Sequence, residues 1–84
     1  MYEVVYRKQA AKALRKMPKP LMQRFVSAFH ALAQGQRKGL DISKLAGREG
    51  YRLRIGDWRA LYGIEETRLI IEVLRIGPRG DVYK

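Results

Sequence analysis

The chain has 84 residues, and Lys and Arg outnumber Asp and Glu by 18 to 8, for a net charge of +10 and a pI near 10.4. That length carries one core, so a single domain spanning residues 1–84 is expected, burying about 60% of its unfolded surface. The absence of cysteine excludes disulfides, zinc fingers and thiol catalysis, and the lone histidine, His30, argues against a His-rich metal site or a Ser-His-Asp triad.

Charge is unevenly spread. Residues 1–40 hold nine Lys/Arg against Glu3 alone, whereas residues 41–84 hold nine against seven acids. The first half therefore reads as a basic surface for a polyanion: nucleic acid, an acidic protein or an anionic membrane face. No apolar run reaches the ~18 residues of a membrane span. Met1–Tyr6 also lacks the pattern of a signal peptide, so a cytoplasmic location is expected.

Residues 2–6 alternate, with Tyr2, Val4 and Tyr6 on one side, and predict a strand. From about Lys8 the period becomes helical: Ala10, Ala11, Leu14 and Met17 share a face opposite Lys12, Arg15 and Lys16. Pro18 ends this helix. A second helix starts near Pro20, with Leu21, Met22, Phe25, Val26, Phe29, Leu32 and Ala33 as its apolar stripe and Gly35 as its stop. So short a connection predicts an antiparallel helical hairpin. Residues 36–50, with Gly39, Gly47 and Gly50, read as a long connection anchored by Leu40, Ile42 and Leu45.

Strands follow. Tyr51, Leu53 and Ile55 alternate with Arg52 and Arg54; Gly56-Asp57 signals a turn; Trp58, Ala60, Tyr62 and Ile64 alternate with Arg59, Leu61 and Gly63. Residues 68–76 are apolar on both sides and predict a central strand, broken at Gly77-Pro78. The expected fold is α+β: an N-terminal strand and an antiparallel two-helix hairpin packed on one face of a four-stranded, mainly antiparallel sheet.

If Gly56-Asp57 is a two-residue hairpin loop, Ile55 faces Trp58, Leu53 faces Ala60 and Tyr51 faces Tyr62, all toward the helices. The other face then sets Arg54 opposite Arg59, with Arg52 on the same side. Like charges placed so cost roughly 0.2–1 kcal/mol per pair, and guanidinium groups suit phosphate. The plainer alternative is a solvated strand face. Glu72 on the neighbouring strand is a candidate to neutralise one arginine.

The run GYRLRIGDWRALY at residues 50–62, with KLAG at 44–47 and LRIGPRGDVY at 74–83, resembles the RelE family of bacterial toxins over essentially the whole chain. The resemblance implies the toxin half of a toxin–antitoxin pair, an endoribonuclease (mRNA interferase) that enters the ribosomal A site, cuts the messenger RNA there and inhibits translation. It implies no cofactor, no metal and no membrane. Arg52 and Arg54 take the places of two strand residues that are often lysine in relatives. Arg59 matches the arginine after the turn, Arg79 the arginine after the last strand, and Tyr83 the C-terminal tyrosine.

Two features depart from the pattern: Pro78 stands where many relatives carry histidine, and arginines replace lysines at 52 and 54. Arginine is a poor general base, so Asp41 and Glu49 are candidate carboxylates.

In the implied chemistry the 2′-hydroxyl attacks the adjacent phosphate. Arg59 and Arg79 would hold the non-bridging oxygens. Arg52 or Arg54 would stabilise the 2′ oxygen or donate to the leaving group, and Tyr83 would stack on a base or orient the hydroxyl. The implied partners are the ribosome with its RNA and message, and an acidic antitoxin through which alone operator DNA would be bound. The lysines and arginines of the first helix would form a general footprint for ribosomal RNA. His30 reads as structural or surface-exposed and Trp58 as core. Competing readings are a ParE-like toxin that poisons DNA gyrase without cutting, and a non-catalytic RNA-binding module.

Overall fold

The computed structural model describes residues 1–78. In chain order the elements are β1 (Glu3–Tyr6), α1 (Lys8–Lys16), α2 (Lys19–Ala33), β2 (Asp41–Lys44), β3 (Tyr51–Ile55), β4 (Trp58–Glu65) and β5 (Ile70–Pro78). They build one mixed sheet of order β1-β5-β4-β3-β2, with the helical hairpin on one face. β1 runs parallel to β5, and every other pairing is antiparallel. Among the described residues no helix is long and apolar enough to cross a membrane.

The α+β class and the hairpin are as expected, but the sheet has five strands rather than four. The extra strand is β2, inside the segment read as a connection. Its four residues, Asp-Ile-Ser-Lys, show almost no apolar alternation because only Ile42 turns toward the core; backbone pairing to β3 creates the strand.

Neither helix has a side-chain N-cap or an acid in its first turn. Packing therefore holds them, helped in α1 by Arg15 and Lys16 at the negative end of the helix dipole. Phe25, Ala28, Phe29, Leu32 and Ala33 of α2 are buried. Val26, expected in the stripe, is 40% exposed: it lies one position off the face that Phe25, Phe29 and Leu32 present. Phe29 sits between two tyrosine rings edge to face, Tyr6 at 6.0 Å and Tyr62 at 5.4 Å. Leu53, Ala60, Tyr62, Ile71, Val73 and Ile76 complete the core from the sheet, with half-buried Trp58 against it. His30 is exposed and within 2.7 Å of the Gln34 amide.

β5 lies between β1 and β4, as its apolar sequence predicts, but its limits differ. It begins at Ile70 and continues through Gly77 and Pro78. β1 stops opposite Val73, so a proline five residues on removes no bond from that side of the ladder. The backbone that β1 leaves uncovered is partly met by α1: the Gln9 amide accepts from Ile76 N–H at 3.0 Å and donates to Ile76 C=O at 3.3 Å.

Candidate functional site

The β3–β4 hairpin follows the expected register. Ile55 opposes Trp58, Leu53 opposes Ala60, Tyr51 opposes Tyr62, and Arg54 opposes Arg59. Gly56, at φ +60, takes the first turn position, where a left-handed residue lets a two-residue loop follow the strand twist. Gly50, at φ +114, starts the hairpin; a Cβ there would meet the Tyr62 carbonyl oxygen at 3.1 Å.

Arg52, Arg54 and Arg59 thus share the face away from the helices, which the sequence parity predicts. A fourth arginine joins them. Arg75 opposes Leu61, two pairs along from Arg59 and Gly77 and so on the same face. It arrives there through a bulge: Leu61 pairs with Arg75 but Tyr62 with Val73, which leaves Leu74 unpaired. Burial shows the same shift, since Val73 and Ile76 are both core residues at an odd separation. Strict alternation would have placed Leu74, not Arg75, on this face.

The face is not a fully solvated surface. Leu61 is only 2% exposed although it lies outside the main core, flanked across the strands by Arg52 and Arg75 and on its own strand by Arg59. Arg52 and Arg59 are half-buried, and their Nε atoms are buried without a hydrogen-bond partner among the described residues. Arg54 is exposed and donates from Nε to the Gly56 carbonyl at 3.1 Å.

Among the described residues, acids are sparse here. Asp41 on β2 opposes Arg54 in register, and its carboxylate stands 3.9 Å from Arg52 Nη2. Glu72 does not neutralise the cluster. It sits beyond the bulge, opposite Gly63 and Val5, and pairs with Arg7 at 2.8 Å. Glu49 is exposed in the β2–β3 loop. Arg79 and Tyr83 lie outside the described residues.

The arrangement concentrates fixed positive charge on a half-dry sheet face where, among the described residues, Asp41 supplies a carboxylate at the margin. Such a surface can hold and neutralise a phosphodiester.

Residues 4–83 match the model of the ParE toxin of the type II toxin–antitoxin system parDE. No curated protein matches the chain. Among solved structures, it resembles the archaeal RelE–RelB complex from Pyrococcus horikoshii OT3, at 34% identity over 95% of this chain and 97% of that one, with a TM-score of 0.77. It shares its fold with the toxin of the RelB–RelE complex from Methanococcus jannaschii, at 22% identity over 94% of both chains and a TM-score of 0.78. The same holds for the isolated E. coli RelE toxin, at 19% identity over 99% of this chain and 92% of that one and a TM-score of 0.77.

Proposed function

The chain belongs to the ParE toxin family, within the RelE/ParE superfamily of type II toxin–antitoxin systems, and from that premise we propose that it is a ribosome-dependent endoribonuclease that cuts messenger RNA in the A site. The observation that carries this reading is the Arg54–Arg59 cross-strand pair with Arg52 beside it on the face no helix covers. Two like charges held opposite each other work against stability. A bound phosphate turns the same repulsion into affinity.

In this mechanism the message's own 2′-hydroxyl attacks the neighbouring phosphorus. The 5′ oxygen leaves with a proton, and a cyclic phosphate stays on the upstream fragment. Arg59 holds a non-bridging oxygen as the phosphorane charge builds, and Arg52 or Arg54 stabilises the 2′ or leaving oxygen. Arginine keeps its proton at any working pH, so the base is a carboxylate: Asp41, at the edge of the cluster, is the candidate. Arg79 and Tyr83 enter from the family pattern, as a second phosphate clamp and a base-stacking or orienting group. No residue among these is a strong acid–base catalyst, so free RNA should be a poor substrate and the ribosome should supply its geometry. The inhibiting partner is an acidic antitoxin suited to the +10 charge, and the compartment is the cytoplasm.

The family match to ParE favours one second reading, a toxin that binds DNA gyrase and cuts nothing. A translation extract with programmed ribosomes separates the two. Mapped 5′ ends in A-site codons that vanish with Arg59→Ala and Arg79→Ala support the nuclease. Intact messages with a supercoiling defect support the gyrase poison.

A further inference from the structure

The outer face is divided by charge along its strands. Toward the β4–β5 turn stand Glu3, Glu65 and Glu72, with Glu66 in the turn itself, where it accepts from the Tyr2 hydroxyl at 2.9 Å; Glu3 and Glu65 flank Ile70 on the two neighbouring strands. The two arginines at that end are each engaged by one of these acids, Arg7 by Glu72 and Arg68 by Glu65 at 2.6 Å. A phosphate chain leaving the arginine cluster in that direction would meet excess negative charge.

The other way out is different. Where β2 turns into β3, a basin of about 360 Å³ is lined by Ser43, Lys44, Leu45, Ala46, Arg48 and Arg52. Three of these six are cations. The acid of the same loop, Glu49, is not among the lining residues. Arg52 belongs to both places: it faces the cluster through Leu61 and Arg54, and it forms one wall of the basin. The loop is held in shape by the Leu45 N–H bond to the Gly50 carbonyl at 3.0 Å, and by the close approach of Gly50 to Tyr62. Lys44 and Arg48 therefore sit at the mouth and in the middle of a loop whose ends are tied together.

We infer that the basin of Ser43, Lys44, Arg48 and Arg52 is a second phosphate subsite, which takes the phosphate adjacent to the scissile one on a single-stranded message. The inference rests on the ribonuclease reading and deepens it. Arg52 shares its charge between the two phosphates, Lys44 and Arg48 grip the second, and Ser43 offers a hydroxyl donor. The acidic end disfavours the opposite path along the sheet. Contacts of this kind position a strand and read no base.

The test uses the full chain and two readouts. The first is binding of a single-stranded ten-nucleotide RNA at several salt concentrations. Lys44→Ala with Arg48→Ala should reduce the salt slope by about 0.7, the value of one single-strand phosphate contact, while Arg48→Lys retains it. A control with the same change of charge, Lys19→Ala with Arg24→Ala on exposed positions of α2, should leave the slope alone. The second readout is cleavage on programmed ribosomes, where the Lys44/Arg48 variant should raise KM with kcat unchanged. An unchanged slope and KM, or an equal slope loss in the α2 control, overturns the subsite. A wild-type protein that cuts no message removes the ribonuclease reading instead, and the slopes then still report on the basin.

Discussion

Residues 51–55 send alternate side chains to two surfaces that follow opposite rules. On the inner surface Tyr51, Leu53 and Ile55 meet Tyr62, Ala60 and Trp58, and shape and apolar area decide which residue is tolerated. The Tyr51 and Tyr62 rings stack at 5.5 Å, and Leu53 is wholly buried. On the outer surface, Arg52 and Arg54 with Arg59 make a patch that lowers stability by its own repulsion. One hairpin thus carries the fold on one parity and the chemistry on the other. Substitutions on the two sides should separate stability from activity cleanly.

The largest effect is expected on the inner side. Phe29→Ala removes a fully buried ring and its edge-to-face contacts with Tyr6 and Tyr62. A loss of about 3–5 kcal/mol is expected, a large part of the roughly 5–15 kcal/mol that holds a domain together. Denaturant melts of the variant would show it. A loss below ~1 kcal/mol would mean the ring is not seated as described. On the outer side, Arg59→Ala should leave the melt within about 0.5 kcal/mol while cutting ribosome-dependent cleavage by about 10²–10³, the usual effect of deleting one charge-stabilising donor. A variant that loses both in proportion would show that the arginine is structural and break the comparison.

The parity of the hairpin was legible because its turn is short. With Gly56-Asp57 as a two-residue loop, every pair from Tyr51–Tyr62 to Ile55–Trp58 follows by counting. Where the connection is less constrained, counting fails. The β4–β5 turn takes in Leu69 at φ +54, and the Leu74 bulge then moves Arg75 to the outer face. Neither is visible in apolar alternation alone, so both the start of β5 and the fourth arginine were missed. β2 escaped for another reason: its strand character comes from pairing with β3, not from its own four residues. Glu72 looked like a counter-ion for the cluster because it shares a face with it, yet Arg7, distant in sequence, claims it.

The inner surface should also respond to alkali. Burial pushes the Tyr62 phenol up from 10.0 to about 12, and Tyr6 is raised by burial too. A raised folded pKa favours the protonated form in the native state. The stability tied to Tyr62 is therefore complete below pH 10 and lost as pH rises through about 12. Melts taken between pH 9 and 12 should fall, and Tyr62→Phe should flatten that fall. A flat profile in the wild type would place the phenol in solvent.

The smallest effect is the sharpest test of the outer surface. Arg59 opposes Arg54 on one side and Gly77 on the other, so a carboxylate at 59 would meet one cation and no acid directly across the strands. Arg59→Glu replaces a like pair with an opposite pair. Each half of that exchange is worth roughly 0.2–1 kcal/mol on a strand face. The net gain should be about 1 kcal/mol, or some 4–8 °C in Tm for a domain of this size. Cleavage should disappear in the same protein. A more stable, inactive variant would mean that the native pair is kept against stability because phosphate needs it. A lower Tm would mean that the arginine stems packed around Leu61 hold this face together, and that its charge is incidental.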